Sequence, residues 1–366
     1  MATIRLWRRR VLVAVLALGS LLVGGWLAYR GLVDPWPAKV EFRDEIPLTF
    51  TPDGRSFVFS NPGKITFRDA ATGRERFSWS LPENFDTKIV VAGAFSPDGR
   101  TFAAAIRRNN TPAEVAFIDV TSGQIRATGK ASHPQIGELS FTADGTALRL
   151  GAADTPGFRE VVSFDPATGA TEFVFPPAPP GPARGAALLP DGRFLVYLDS
   201  QGGSISLHEV GPAASRPAPD RIGLSSAGAS GAISCGRDGR TLAVGRLDGT
   251  IDLWDIPGRR LIKTLPAQAR GYAMWVVFSP DGRTLAAEYG NAPKLEWLQP
   301  LRTIYYSIIG GRMKAGSSDL VILDLATGKP LVRSATSYWL FYSPDGRKVV
   351  TKDDDGRTRL RDVPEP

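Results

Sequence analysis

The chain has 366 residues, 43% of them hydrophobic and 22% charged, which is typical of a globular protein. Its net charge of +7 arises in residues 1–30, which hold five arginines and no acid; the remainder carries 39 basic and 37 acidic side chains, so charge gives no argument for nucleic-acid binding. The single cysteine excludes an intrachain disulfide. The two histidines are too few for a His-rich metal site and for most His-based catalytic pairs.

The first predicted element is a hydrophobic transmembrane helix. Residues 1–10 are basic and are predicted to be cytoplasmic, and the uncharged run 11–29 follows them. As a helix, Val11–Ala28 would be about 27 Å long, close to the roughly 30 Å core of a bilayer. Because arginines favour the cytoplasmic side, we expect a single-pass signal anchor with the rest of the chain outside the cytoplasm, in the periplasm if the protein is bacterial. A cleaved secretory signal is the alternative, although the run is long for one and no small-x-small site follows it.

Residues 30–38, with two prolines, are interpreted as a short tether. Such a segment extends at most about 30 Å, so we expect the following domain to lie close to the membrane.

From residue 39 onward the sequence is a repeat. The motif Phe-Ser-Pro-Asp-Gly-Arg occurs seven times with substitutions, and its aspartates are Asp53, Asp98, Asp144, Asp191, Asp238, Asp281 and Asp345. Their spacings are 45, 46, 47, 47, 43 and 64 residues. After each copy comes an alternating apolar and polar run that then reaches an acid, such as "IDLWD" from Ile251. Pro, Asp and Gly suit tight turns between strands, so each unit is predicted to hold four strands.

Four-stranded units that repeat every roughly 40 to 50 residues resemble the WD-repeat β-propeller family. The resemblance covers Val40–Val363, and the fifth unit carries the family's Trp-Asp pair as Trp254 and Asp255. At the other units the tryptophan position holds Arg68, Ile118, Phe164, His208, Leu323 and Arg361. The family's Gly-His pair is largely missing as well, so its buried Asp-His-Ser-Trp hydrogen-bond network is not expected.

The resemblance implies an all-β domain over residues 39–366, a seven-bladed β-propeller of four-stranded antiparallel blades preceded by the one transmembrane helix. The last unit lacks an outer strand at its end. We expect the N-terminal strand 39–43 to pair there and close the last blade, which removes an open sheet edge. The tether would then enter on the face that carries the Pro-Asp-Gly turns.

The repeat is interrupted once, in the sixth unit, where residues 289–319 replace a short hairpin. Aromatic and arginine residues dominate interface energetics, and functional variation concentrates in loops. We therefore predict a partner-binding arm with the candidate contact residues Trp297, Arg302, Tyr305, Tyr306 and Arg312. The alternative is an elongated hairpin in which "RTIYYSII" pairs with "SDLVILD".

An arginine follows the turn glycine in six of the seven units: Arg55, Arg100, Arg193, Arg240, Arg283 and Arg347. These side chains are predicted to form a basic ring on the membrane-proximal face. Contact with anionic lipid headgroups is one interpretation of the ring. The other is that they are solvated turn residues that pair with nearby aspartates.

The resemblance implies a non-catalytic scaffold for protein–protein interaction. We predict no catalytic residue, no metal, no cofactor and no nucleic-acid partner. The alternatives are a hydrolase or lactonase that uses the central channel, for which Glu138 alone is suggestive, and a sensor of a small ligand bound in that channel.

Overall fold

The chain folds into an all-β propeller of small antiparallel sheets. A computed structural model describes residues 36, 38–42, 45–82, 89–107, 114–130, 138–142, 144–145, 148–153, 158–175, 183–190, 192, 194–199, 204–210, 220–225, 228–269, 271–290, 319–335, 338–352 and 357–365. Its strands form seven four-stranded sheets, numbered here 1 to 7 in chain order.

Sheets 1 to 6 each consist of four consecutive strands, and sheet 7 takes its fourth strand from the N-terminal side of the chain. Sheet 1 contains β2 (Ile46–Phe50), β3 (Ser56–Asn61), β4 (Lys64–Asp69) and β5 (Glu75–Ser80). Sheet 2 contains β6 (Ile89–Phe95), β7 (Thr101–Arg107), β8 (Glu114–Asp119) and β9 (Ile125–Lys130). Sheet 3 contains β10 (Glu138–Phe141), β11 (Leu148–Ala153), β12 (Phe158–Phe164) and β13 (Thr171–Phe175). Sheet 4 contains β14 (Ala183–Leu188), β15 (Phe194–Asp199), β16 (Ser204–Glu209) and β17 (Asp220–Ser225). Sheet 5 contains β18 (Ala229–Cys235), β19 (Thr241–Arg246), β20 (Ile251–Asp255) and β21 (Arg260–Leu265). Sheet 6 contains β22 (Tyr272–Phe278), β23 (Thr284–Gly290), β24 (Asp319–Asp324) and β25 (Pro330–Ala335). Sheet 7 contains β26 (Tyr338–Tyr342), β27 (Lys348–Lys352), β28 (Thr358–Asp362) and β1 (Val40–Phe42).

The Pro-Asp-Gly motif forms the turn between the first two strands of a sheet. In sheet 2, Ser96 Oγ donates to Asp98 Oδ1 at 2.6 Å and accepts the Thr101 N–H at 2.9 Å. Gly99 takes a φ of 69°, which the missing Cβ permits. Thr51, Ser279 and Ser343 make the same pair of bonds in sheets 1, 6 and 7. The repeated sequence motif therefore specifies a repeated turn geometry.

A second recurring turn, Asp-x-x-Thr/Ser-Gly, joins the third and fourth strands. Asp69 Oδ1 accepts the N–H groups of Ala71 and Thr72 at 3.0 and 2.9 Å. The Ala70 N–H donates to the Arg55 carbonyl at 2.8 Å, so both turns lie on the same side of the ring. We call this side the turn face.

The glycine of the second turn lets the neighbouring sheet approach closely. A Cβ on Gly123 would lie 2.5 Å from Trp79 Cδ1, which belongs to the outer strand of the preceding sheet. Gly73 in sheet 1 has the same relation to β1, because a Cβ there would clash with the side chain of Val40. Strand β1 thus packs against sheet 1 as the outer strand of sheet 7.

The hydrophobic core lies between consecutive sheets and follows the ring. The first strands of most neighbouring sheets contact one another. Sheets 6 and 7 share a cluster that includes Leu320 and Tyr342. Sheets 7 and 1 share another, which includes Phe57 and Leu360, so the last sheet packs on the first.

The ends of the described chain meet in sheet 7. Strand β1 pairs antiparallel with β28, with Val40 opposite Leu360. The Trp36 Nε1–H donates to the Asp362 carbonyl at 2.7 Å. The Arg361 guanidinium lies 5.0 Å from the centre of the Trp36 ring and donates to the Trp36 carbonyl. Because Asp362 pairs with Lys348, next to a Pro-Asp-Gly turn, the chain enters the propeller on the turn face.

Two sequence expectations concern segments outside the described residues, the anchor at 11–29 and the insert at 291–318. Within the described part of the chain, no helix is long and apolar enough to cross a membrane. The elongated-hairpin interpretation of the insert is wrong. Strand β24 pairs with β23 along one edge and with β25 along the other, so neither edge is left for "RTIYYSII".

Replacing Trp36 by alanine should destabilise the folded chain by about 3–5 kcal/mol, as for other buried tryptophans. The indole is 5% exposed and covers the buried Arg361, which would lose its aromatic contact. Urea unfolding of the full chain in detergent, followed by circular dichroism, measures the loss. Leu247→Ala, at a side chain that is 54% exposed, is the control and should cost about 0.5 kcal/mol or less. Equal losses for the two variants would show that Trp36 does not stabilise the closed ring.

Candidate functional site

Around most of the turn face, each Pro-Asp-Gly turn touches the turn of the preceding sheet. A Cβ on Gly99 would lie 3.7 Å from Pro52, one on Gly145 would lie 3.3 Å from Pro97, and one on Gly54 would lie 3.6 Å from Pro344. Gly239 of sheet 5 and Gly282 of sheet 6 differ, because no described atom lies within 4 Å of a Cβ built there. The contacts between turns are therefore interrupted on both sides of the sheet 5 turn.

The sequence of the sheet 5 turn explains the interruption at Gly282. Gly236 and Arg237 stand where the other described turns except that of sheet 4 have Ser or Thr, followed in most of them by Pro. Asp238 replaces the missing hydroxyl: its Oδ1 accepts the N–H groups of Arg240 and Thr241 at 2.9 and 3.0 Å, and its Oδ2 accepts Thr241 Oγ1–H at 2.8 Å. The turn keeps its shape but presents no proline ring to the next turn.

A second departure occurs on the outer strands. The pairing of the third and fourth strands skips one residue, and this bulged position holds Arg76 in sheet 1, Arg126 in sheet 2 and Glu172 in sheet 3. These side chains turn back to polar partners of their own sheets, as Arg76 does to Ser56 Oγ at 3.0 Å. In sheet 5 the bulged residue is Ile262, which is 51% exposed.

Together these departures leave a groove of about 410 Å³ between sheets 5 and 6 on the turn face. We call it the 5/6 groove. Its apolar residues are Leu253, Ile262, Phe278, Pro280 and Leu325, and its polar residues include Arg237, Asp238, Thr241, Lys263 and Asp281. A second recess adjoins it at Gly282 and Leu325 and extends toward Arg283 and Glu365.

The two carboxylates at the groove accept hydrogen bonds within their own turns. Burial raises the pKa of Asp238, but its three hydrogen bonds outweigh this and hold the pKa below its ordinary value. Asp281 Oδ1 accepts Ser279 Oγ–H at 2.6 Å and the Arg283 N–H at 3.0 Å. Its carboxyl group also lies against Gly346 of sheet 7.

The cations at the groove differ in their freedom. Lys263 Nζ donates to the Leu325 carbonyl and, at 3.2 Å, to the Ala326 carbonyl, so its ammonium is fixed across the groove. Arg237 is exposed and makes no hydrogen bond or ion pair with any residue that the structure describes. The groove therefore offers a ligand mainly hydrogen-bond donors and a positive charge.

The structure places five residues of the predicted basic ring, Arg55, Arg100, Arg240, Arg283 and Arg347, on the turn face with exposed side chains. Arg193 lies outside the described residues. Each of these arginines follows a turn aspartate by two residues, and its backbone N–H donates to that carboxylate. Hydrogen bonds from Ser96 and Arg100 hold the pKa of Asp98 below its usual value against a small effect of burial, so this carboxylate is ionised at neutral pH. The arginines thus alternate with aspartates and do not form a continuous cationic band.

The other predicted contacts, Trp297, Arg302, Tyr305, Tyr306 and Arg312, lie outside the described residues. Their segment departs from Gly290 and returns at Asp319, on the side opposite the turn face. Met274 on strand β22, beside Gly290, is 40% exposed, and the next residue, Trp275, is 37% exposed.

Residues typical of metal sites do not converge within the described ranges, where no three His, Cys, Asp or Glu side chains form a cluster. His208 is buried, and its Nε2 lies 2.9 Å from Ser206 Oγ. Trp254 Nε1 is buried without a hydrogen-bond partner among the described residues, so the Asp-His-Ser-Trp network is not formed there.

No protein-family model matches the chain, and no curated protein matches it either. The propeller fold is therefore supported by the arrangement of the sheets and by the repeat.

Sequence reasoning missed the 5/6 groove. The signals were the loss of Ser-Pro at Gly236–Arg237 and the apolar Ile262 at a position that is charged in sheets 1 to 3. Each is one substitution in a variable repeat. Only the structure shows that both lie at one interface between sheets.

Asp238→Asn should destabilise the sheet 5 turn by about 1 kcal/mol at most at pH 7, since an amide nitrogen cannot accept the Thr241 hydroxyl and water screens this exposed turn. A lowered pKa stabilises the fold above the unfolded value of about 3.9, and this contribution is lost as the pH falls through the lower folded value. The difference between variant and parent should therefore shrink below about pH 4. Urea midpoints between pH 3 and 7 measure it. Arg237→Ala, in the same turn, should show neither effect, and a difference that is independent of pH would contradict this role of Asp238.

Proposed function

We propose that this protein is a non-catalytic scaffold of the WD-repeat type, in which each of the seven sheets is one blade of a closed ring and the 5/6 groove binds a partner protein. The groove supports this proposal because it joins an apolar base to an exposed cation at one interface. Compact sites of this composition, apolar at the centre and polar at the rim, are typical of protein interfaces.

Exposed hydrophobic side chains are concentrated in the two sheets that form the groove. The large hydrophobic residues with the highest exposure in the described chain are Phe77 in sheet 1 and five residues in sheets 5 and 6: Leu247, Leu261, Ile262, Met274 and Trp275. Of these, Ile262 lies in the groove, whereas Met274 lies beside Gly290, at the end of β23 away from the turn face.

The rigidity of the groove walls also supports the proposed scaffold function. The groove walls belong to two four-stranded sheets, and the turns at its rim are held by bonds between side chain and backbone. A site that is already in its binding conformation loses little conformational entropy when a ligand binds.

Membrane anchoring through residues 11–29 is part of the proposal. The chain enters the propeller on the turn face at Trp36, and residues 30–35 alone separate that point from the predicted anchor. The turn face and its groove would then lie toward the membrane. The segment with Trp297, Arg302, Tyr305, Tyr306 and Arg312 would be a second contact, on the side away from it.

A sensor of a small ligand is the second candidate. It is favoured by Met274 and Trp275, whose exposed side chains lie on β22, the first strand of its sheet and the neighbour of β18. Such an aromatic and thioether surface at the ring interior could bind an apolar ligand.

A photoreactive amino acid at position 262 of the full chain should crosslink to a discrete partner protein in intact cells, because Ile262 lies in the proposed contact. The matched control is the same amino acid at position 126, the corresponding bulged and exposed position of sheet 2. Gel shifts and mass spectrometry of the crosslinked products measure the result. Equal product at both positions, or none at position 262, would contradict binding through the groove.

Deleting residues 1–30 should release the protein from membranes into the soluble fraction after a carbonate wash, whereas the full chain should remain with the membrane. The deletion removes the run 11–29 but keeps Trp36 and β1, so the fold should persist in circular dichroism. Immunoblots of the two fractions measure the outcome. Release of the full chain by carbonate would contradict the anchor.

A further inference from the structure

We propose that the 5/6 groove recognises an extended peptide segment of the partner in which a carboxylate side chain stands next to an aliphatic or proline residue. This inference rests on the proposed scaffold function and specifies the chemistry of its ligand.

The apolar half of this specificity follows from the proline that sheet 5 lacks. Between sheets 1 and 2 and between sheets 2 and 3, a proline ring of one turn lies 3.3 to 3.7 Å from the Cβ position of the next turn's glycine. In sheet 5 the proline position holds Arg237, and Gly282 opposite it has no described atom within 4 Å. The space that a proline fills elsewhere is therefore open, and a proline or aliphatic side chain of a ligand fits it.

The floor of that space is apolar. Leu253 and Phe278 are 4% and 8% exposed and belong to the core shared by sheets 5 and 6. A ligand side chain placed on them would extend an existing hydrophobic core. Burial of apolar surface would stabilise that complex by roughly 25 cal/mol for each Å² removed from water.

The preference for a carboxylate in the ligand follows from the charged residues at the groove. Both oxygens of Asp238 are occupied by its own turn, and Asp281, which also lines the groove, uses Oδ1 within its own turn and has its carboxyl group against Gly346. The guanidinium of Arg237 has no partner among the described residues, and it can donate two parallel hydrogen bonds to one carboxylate. An anionic group of the ligand is thus complementary to Arg237.

The shape of the site favours an extended segment. Strand β21 forms the outer edge of sheet 5, and on its outward side no described strand pairs with it. Ile262 and Lys263 of this edge line the groove. An extended peptide can lie along such an edge while alternate side chains enter the adjacent pocket, a known mode of peptide recognition.

Selection from a library of random octapeptides, displayed on phage, tests the inference on the full chain in detergent. The wild-type chain should enrich peptides in which Asp or Glu is adjacent to Leu, Ile or Pro. Arg237→Glu should weaken the binding of a selected peptide about tenfold or more, and selection on this variant should favour Lys or Arg in place of the acid. Arg240→Glu makes the same charge change in the same turn but outside the groove lining, and it should select as the wild type does.

A second variant tests the preference for apolar ligand residues separately from the preference for an acid. Ile262→Ser should keep the acidic preference and lose the preference for Leu, Ile and Pro. Circular dichroism of each variant checks that it is folded. The inference is overturned if the wild type enriches no peptide, or if Arg237→Glu selects the same acidic peptides. It is also overturned if dihexanoyl phosphatidylglycerol binds the wild type more tightly than the selected peptides, because the occupant would then be a lipid headgroup.

The crosslinking experiment keeps this inference distinct from the proposed function. A crosslink at position 262 without peptide enrichment would retain the scaffold and overturn the peptide chemistry. Enrichment of acidic and aliphatic peptides without a crosslink in cells would support the chemistry of the groove and overturn the proposed function.

Discussion

The pairing of β1 with β28 is the interaction on which the rest of the ring depends. Each sheet buries one face against the sheet before it and the other against the sheet after it, so an open ring would leave two apolar faces in water. Strand β1 supplies the outer strand of sheet 7 and at the same time fills the space above Gly73 of sheet 1. Trp36 and Arg361 hold its start against Asp362, which joins the N-terminal part of the domain to the C-terminal strand. A contact between positions more than 300 residues apart in sequence thus closes the ring.

The turn face shows how a repeat can create a site by losing contacts. A turn of the Ser-Pro-Asp-Gly type is stabilised within its own sheet by Ser and Asp and between sheets by Pro. Sheet 5 keeps the first function through Asp238 and Thr241 and lacks the second, because Arg237 stands at the proline position. The fold tolerates this loss because the core between sheets 5 and 6, with Leu253, Val276 and Phe278, remains closed below the turns. The groove is therefore superficial, with a rigid floor.

Much of the fold could be predicted from the sequence because its signals are local. Alternation of apolar and polar residues indicates strands, and the Pro-Asp-Gly and Asp-x-x-Thr-Gly motifs form the turns through bonds within five residues. The candidate site could not be predicted, because it depends on Arg237 and Gly282, which lie in different sheets, lining the same groove. The hairpin proposed for the insert failed for a related reason, since both edges of β24 are occupied by partners that its own sequence does not reveal. Five of the predicted ring arginines lie on the turn face, and the carboxylates between them change what that face presents.

The place where the chain enters the propeller also restricts what can reach the groove. If residues 11–29 cross a membrane, the six residues 30–35 allow Trp36 to lie at most about 20 Å from the bilayer surface. A folded domain of about 100 residues has a radius of gyration of about 13 Å and so does not fit easily into a gap of that width. An extended segment does fit, because neighbouring strands lie only about 5 Å apart. The position of Trp36 on the turn face and the open edge of β21 beside the groove therefore favour the same kind of ligand, a peptide in extended conformation.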